Sequence, residues 1–72
     1  MQPHEIKKFY WRLKSLRPDY VDDNDTAFAA HLDVSRGQLS RWRNGHNVPD
    51  PITVQRLAKR LRVRPAWLQY GE

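Results

Sequence analysis

Between Val34 and Pro49 the chain carries no acidic residue, and that window holds Arg36, Arg41, Arg43 and His46 with Gln38, Asn44 and Asn47. A guanidinium is a planar fork of donors that fits phosphate or the edge of guanine, and amides pair with adenine. Such groups, clustered without counter-charge, suit the recognition of a polyanion rather than bond making. Acids gather elsewhere: Asp19, Asp22, Asp23 and Asp25 crowd one loop upstream. The whole chain leans the same way, with 13 Lys and Arg against 8 acids and a net charge of +5. A pI near 10.1 favours polyanions without choosing among them.

Composition excludes several classes. The 72 residues contain no cysteine, so neither a disulfide nor a thiolate metal site is expected. His31 and Asp33 lack a third ligand, and the acidic loop does not have the spacing of a calcium loop. No metal and no cofactor are therefore expected. The longest apolar run is four residues, Ala27 to Ala30, which is far too short for a membrane span. No hydrophobic stretch follows Met1, so no secretory signal is expected and the chain reads as cytoplasmic. There is no Gly-rich phosphate loop and no Ser-His-acid set, so an enzyme is not expected.

The elements that must position the cationic window follow from periodicity and caps. Ile6, Phe9, Tyr10, Leu13 and Leu16 share one helical stripe, predicting a helix from about Pro3 to Leu16 that Arg17-Pro18 ends. A second helix is expected from Asp25 to Leu32, capped by Asn24 or Asp25, with Phe28, Ala29 and Leu32 inward. Ser35 opens a third, where Ser-Arg-Gly-Gln has the spacing of a capping box, and Asn44-Gly45 closes it. Asp50-Pro51 starts a fourth, with Val54, Leu57, Ala58 and Leu61 repeating at helical spacing. A short fifth runs from Pro65 to Tyr70 and ends at Gly71. The expectation is an all-α compact bundle of about five short helices in a single domain spanning residues 1–72.

Only Asp33-Val34 separates Leu32 from the Ser35 cap, and so short a link makes two helices cross steeply, as a helix-turn-helix over about 25–44 requires. Placed at about 100° per residue, the third helix turns Leu39 and Trp42 to the core. Gly37, Ser40, Arg41 and Asn44 face outward, with Arg36 and Arg43 at the flanks. An apolar seam opposite a polar, cationic face is what a major-groove reader needs.

Residues 25–70 resemble the phage repressor/Cro and Xre-type helix-turn-helix family. Phe28-Ala29-Ala30-His31-Leu32-Asp33-Val34-Ser35-Arg36 is similar to its turn, and Leu39-Ser40-Arg41-Trp42-Arg43-Asn44-Gly45 to its recognition helix and exit. Val48-Pro49 and Pro65-Ala66-Trp67-Leu68 resemble its last two helices. The resemblance implies a lambda-repressor-like fold and a sequence-specific transcription regulator, of phage or prophage type, that binds double-stranded operator DNA. It implies base reading by Arg36, Gly37, Ser40 and Arg41. Phosphate contacts would fall on Asn44, His46 and Asn47, joined by Ser35 and Arg43 from the residue reading. A homodimer on a pseudo-palindrome is expected, assembled in solution or only on DNA. The alternative within the same fold is an antitoxin-like module that neutralises a protein partner and autoregulates its operon.

Several residues have a plainer reading. Gln38 is expected at the cap rather than on adenine, and Ser35 is a cap before it is a phosphate donor. Arg43 either meets phosphate or offsets the helix dipole. Asp25 stands where the family often has glutamine; it is expected either to hold Arg36 for guanine or only to repel phosphate. Arg56, Lys59, Arg60, Arg62 and Arg64 read as a solvated face. Trp11, Trp42 and Trp67 read as core or helix-packing residues.

Overall fold

The computed structural model describes residues 1–21 and 24–72, so Asp22 and Asp23 of the acidic loop lie outside the described residues. Five helices are present among them: α1 (Pro3–Ser15), α2 (Asp25–Leu32), α3 (Arg36–Arg43), α4 (Pro51–Leu61) and α5 (Pro65–Tyr70), with a 3-10 turn at Asp19–Val21. No strand occurs in the described chain, and the all-α expectation holds.

Each start has a local cause. Asn24 Oδ1 accepts from the amides of Thr26 (3.0 Å) and Ala27 (3.1 Å), so Asn24 rather than Asp25 caps α2. Ser35 Oγ accepts from the Gln38 amide at 3.0 Å. Only half of that capping box forms, because the Gln38 side chain makes no hydrogen bond among the described residues. The ends use left-handed residues. Asp33 at φ 58° lets the Val34 amide reach Ala29 O at 3.0 Å, which turns the chain from α2 into α3. Arg62 at φ 59° and Gly71 at φ 81° close α4 and α5 in the same way.

All five helices contribute to one core, in which α1 packs chiefly on α3 and α5. It gathers Ile6, Phe9, Tyr10 and Leu13 of α1, Phe28, Ala29 and Leu32 of α2, Leu39 and Trp42 of α3, Val54, Leu57 and Ala58 of α4, and Leu68 of α5. Phe9 and Trp42 meet edge to face, with centroids 5.2 Å apart and an interplanar angle of 89°. Leu16 and Leu61 are only half-buried, at the rim of this stripe. Trp67 is half-buried and packs on the core. Trp11 corrects the expectation: it is 58% exposed, lying outside the α1 stripe beneath Lys14 Nζ, 5.3 Å from its ring centroid.

Arginines hold the helices to one another. Arg12 donates from Nε to Leu68 O and from Nη2 to Gln69 O, both at 2.8 Å, and so fastens α1 to the carbonyl end of α5. Partial burial draws its pKa below the ordinary value, yet it stays charged at neutral pH. Arg60 Nε reaches His31 O at 2.7 Å and Arg56 Nη1 reaches Leu32 O at 3.2 Å, capping the end of α2. Arg64 Nη2 donates to Glu72 O at 2.8 Å. The cations of the Arg56–Arg64 run are exposed, as expected of a solvated face, and Arg56, Arg60 and Arg64 are in addition tied to carbonyls.

Asp50 is the clearest pH-sensitive element. Its carboxylate is drawn below the usual range by the Thr53 side chain first, then by the Thr53 amide at 2.7 Å, with Arg56 nearby. A depressed carboxylate pKa contributes stability above the unfolded value and loses it as pH falls through the folded one. The melting-temperature gap between wild type and Asp50→Ala should therefore be constant near neutrality and narrow once the carboxylate range is entered. A gap that stays constant under acid assigns Asp50 no role in capping α4 as a carboxylate.

Candidate nucleic-acid interface

Burial alone divides α3. Leu39 and Trp42 are 0% and 1% exposed, while Arg36, Gly37, Arg41, Arg43 and Asn44 are open and Ser40 is half-buried. The core contacts of α1 and α2 hold the helix by its apolar seam and leave the opposite face to solvent. The helix contains no acid to neutralise that face.

The three arginines on α3 differ in what they touch. Arg43 Nη1 binds Asp25 Oδ2 at 2.6 Å, and the other oxygen of that carboxylate lies 3.5 Å from the buried Tyr10 hydroxyl. The side chains of Arg36 and Arg41 make no hydrogen bond or ion pair among the described residues. Asp25 thus holds Arg43, at the far end of α3, and not Arg36 at its start. Of the two readings of Asp25, the one that pairs it with Arg36 is not met, because the first residue of α2 lies beside the last turn of α3.

The exit of α3 is equally defined. Gly45 at φ 80° lets its own amide reach Trp42 O at 3.1 Å and the His46 amide reach Arg41 O at 2.7 Å. A Cβ there would stand 3.0 Å from Pro3 O and 3.1 Å from Lys7 Cε, so α1 packs directly on this turn. His46 and Asn47 are exposed just beyond it, Asn47 at φ 57°. Asn44 turns back on its helix, its Nδ2 donating to Ser40 O at 3.0 Å. Ser35 sits at the opposite end as the N-cap. Lys7 is a cation that periodicity along α1 did not single out; only the packing at Gly45 brings it to the exit loop.

The arrangement has no concave pocket and, among the described residues, no cluster of groups fit to hold a metal. Among the described residues no helix is long and apolar enough to cross a membrane. It is a convex helix presenting uncommitted guanidinium forks, steeply joined to the helix before it, which is the build of a DNA-binding domain. The family pattern for helix-turn-helix matches residues 24–68 of the 72. The chain belongs to that family, in its Cro/C1-type, Xre-like branch of DNA-binding transcription regulators. No curated protein and no solved structure matches it.

The Asp25–Arg43 pair carries its own prediction. The pair is exposed at Arg43 and half-buried at Asp25, so Asp25→Ala should cost about 1–2 kcal/mol, the ion pair together with the partner of the Tyr10 hydroxyl, and leave the domain folded. It should release Arg43, remove a negative charge beside α3 and tighten binding to specific and random duplexes alike. The dependence of log affinity on log salt should steepen by about 0.9 for each phosphate newly neutralised. Weaker binding to both duplexes would mean instead that Asp25 orients Arg43 usefully.

Proposed function

We propose that this protein is a sequence-specific regulator that reads operator DNA in the major groove with α3. The observation that carries the reading is the division of labour among its arginines. Arg12, Arg43, Arg56, Arg60 and Arg64 are engaged with carbonyls or a carboxylate, whereas the side chains of Arg36 and Arg41 on the open side of α3 are uncommitted among the described residues; Arg62, the other uncommitted one, closes α4 and is not on α3. An uncommitted fork on an exposed helix face is positioned for the O6 and N7 of guanine. Arg36, Ser40 and Arg41 form the base-facing surface, and Gly37 lies on the same face of the helix. Ser35, Asn44, His46 and Asn47 lie at the two ends of α3, where the phosphate strands flank the groove, and Arg43 joins them once drawn from Asp25.

One recognition helix contacts too few base pairs for useful specificity, so the protein acts as a two-fold dimer on a pseudo-palindrome. Its half-site centres lie about 34–36 Å apart, one helical turn. The α5 end, where Tyr70 is 59% exposed, is the surface offered for the partner protomer. Selection of bound sequences from a random duplex pool tests both statements together. The expected outcome is a symmetric pair of half-sites with a fixed spacing. Failure to enrich any sequence would overturn specific reading, and enrichment of one asymmetric half-site at saturation would overturn the dimer.

A further inference from the structure

We propose that Gly37 sets the base preference of this interface by seating the Arg41 guanidinium, and not through a contact of its own with DNA. The inference rests on the reading of α3 as the recognition helix. Gly37 and Arg41 are one turn apart on the same face, and a helical side chain leans toward the helix N-terminus. The fork of Arg41 lies back over Gly37: Nη1 stands 3.3 Å from the place a Cβ at position 37 would occupy.

Nothing else in the structure calls for glycine there. Its φ is not in the left-handed region, the position is exposed, and no atom other than Arg41 Nη1 approaches the site of a Cβ among the described residues. Glycine inside a helix weakens it, so the missing side chain has a cost without a conformational return. What the bare Cα opens is a shallow seat in which the guanidinium lies close along the helix. Arg41 has no polar partner to hold it, and packing on that seat places the fork. A methyl at position 37 displaces Nη1 slightly, and a leucine fills the seat. Bidentate pairing with guanine depends on the plane and height of the fork, whereas attraction to phosphate does not.

The test compares wild type, Gly37→Ala, Gly37→Leu, Arg41→Ala and the Gly37→Leu/Arg41→Ala double variant at one salt concentration. Each is titrated against the selected operator, a duplex changed at the guanine that Arg41 reads, and random DNA. The expected ratio of operator to changed-duplex affinity falls modestly in Gly37→Ala. In Gly37→Leu it falls by on the order of tenfold, within the range of one bidentate contact. Random-DNA affinity is unchanged, and both Gly37 variants melt at or above the wild-type temperature. In the Arg41→Ala background Gly37→Leu has no further effect, the signature of two residues acting as one. An equal loss from Gly37→Leu in both backgrounds would show that position 37 meets DNA directly and overturn the proposal. So would an unchanged ratio in Gly37→Leu while Arg41→Ala abolishes it. If Arg41→Ala itself leaves the ratio unchanged, the recognition face is misassigned and the seat loses its meaning with it.

Discussion

Replacing Trp42 with alanine should remove a large share of the stability of the domain. Trp42 is 1% exposed and is the largest fully buried side chain in the described protein. It is also the point where α3 is held to α1, through the edge-to-face contact with Phe9 at 5.2 Å. Truncating a buried tryptophan costs about 3–5 kcal/mol in lost transfer energy and residual cavity. A domain of this length has only about 4–11 kcal/mol in total by the usual per-residue scale. Urea and thermal melts followed by far-UV circular dichroism measure the loss. Trp11→Ala is the internal control: Trp11 is 58% exposed, and its removal should shift the midpoint by no more than a degree or two. Trp42→Phe should recover part of the loss by keeping an aromatic edge against Phe9. A Trp42→Ala protein that melts close to wild type would show that α3 is not anchored by this residue.

Arg41→Ala should cost about 1–3 kcal/mol on the selected operator while leaving the fold untouched. Arg41 is exposed, opposite Leu39 and Trp42, and its side chain makes no polar contact with the rest of the protein, so nothing structural is lost with the guanidinium. The loss should be concentrated at one base pair in each half-site and appear as a flattened preference there. Contacts in the exit loop should behave differently. His46→Ala should weaken operator and random duplexes by similar factors, because phosphate is the same in both. Asn47 requires a different substitution. Its φ of 57° makes alanine strained, so Asn47→Gly is the variant that removes the amide without a backbone penalty. It should weaken both duplexes alike and leave the salt slope unchanged, since a neutral group releases no counterion. Equal losses on operator, single-base variant and random DNA in Arg41→Ala would make Arg41 a phosphate clamp.

Local signals placed the helices and their faces. The i, i+3, i+4 spacing of Ile6, Phe9, Tyr10 and Leu13, and of Val54, Leu57 and Ala58, marks buried stripes that the fold does bury. The caps at Ser35 and Asp50 and the glycine closures at Gly45 and Gly71 were equally legible, because a cap is a bond to an amide two or three residues away. The division of α3 into a Leu39–Trp42 seam and an open arginine face belongs to the same class, being set by helical pitch alone. Everything of that kind depends on separations shorter than about two turns.

Pairings across the fold could not be read in this way. Arg12 meets carbonyls 56 and 57 residues further along, and Arg60 one 29 residues back. Their targets are the unpaired carbonyls at helix ends, which become neighbours only once the helices cross. Asp25 selected Arg43 rather than Arg36 for the same reason: the crossing of α2 and α3, and not the order of residues, sets which guanidinium lies within its reach. Trp11 carries a residue type that says core, yet its angular position on α1 sends it outward. Left-handed backbone at Asp33, Asn47 and Arg62 is paid in strain by residues that do not advertise it, and the turns they complete are held by the packing around them. Pitch and caps therefore suffice to locate the helices and the open face of α3. Which arginines fasten one helix to another, and which on α3 stay uncommitted, depends on how the helices cross.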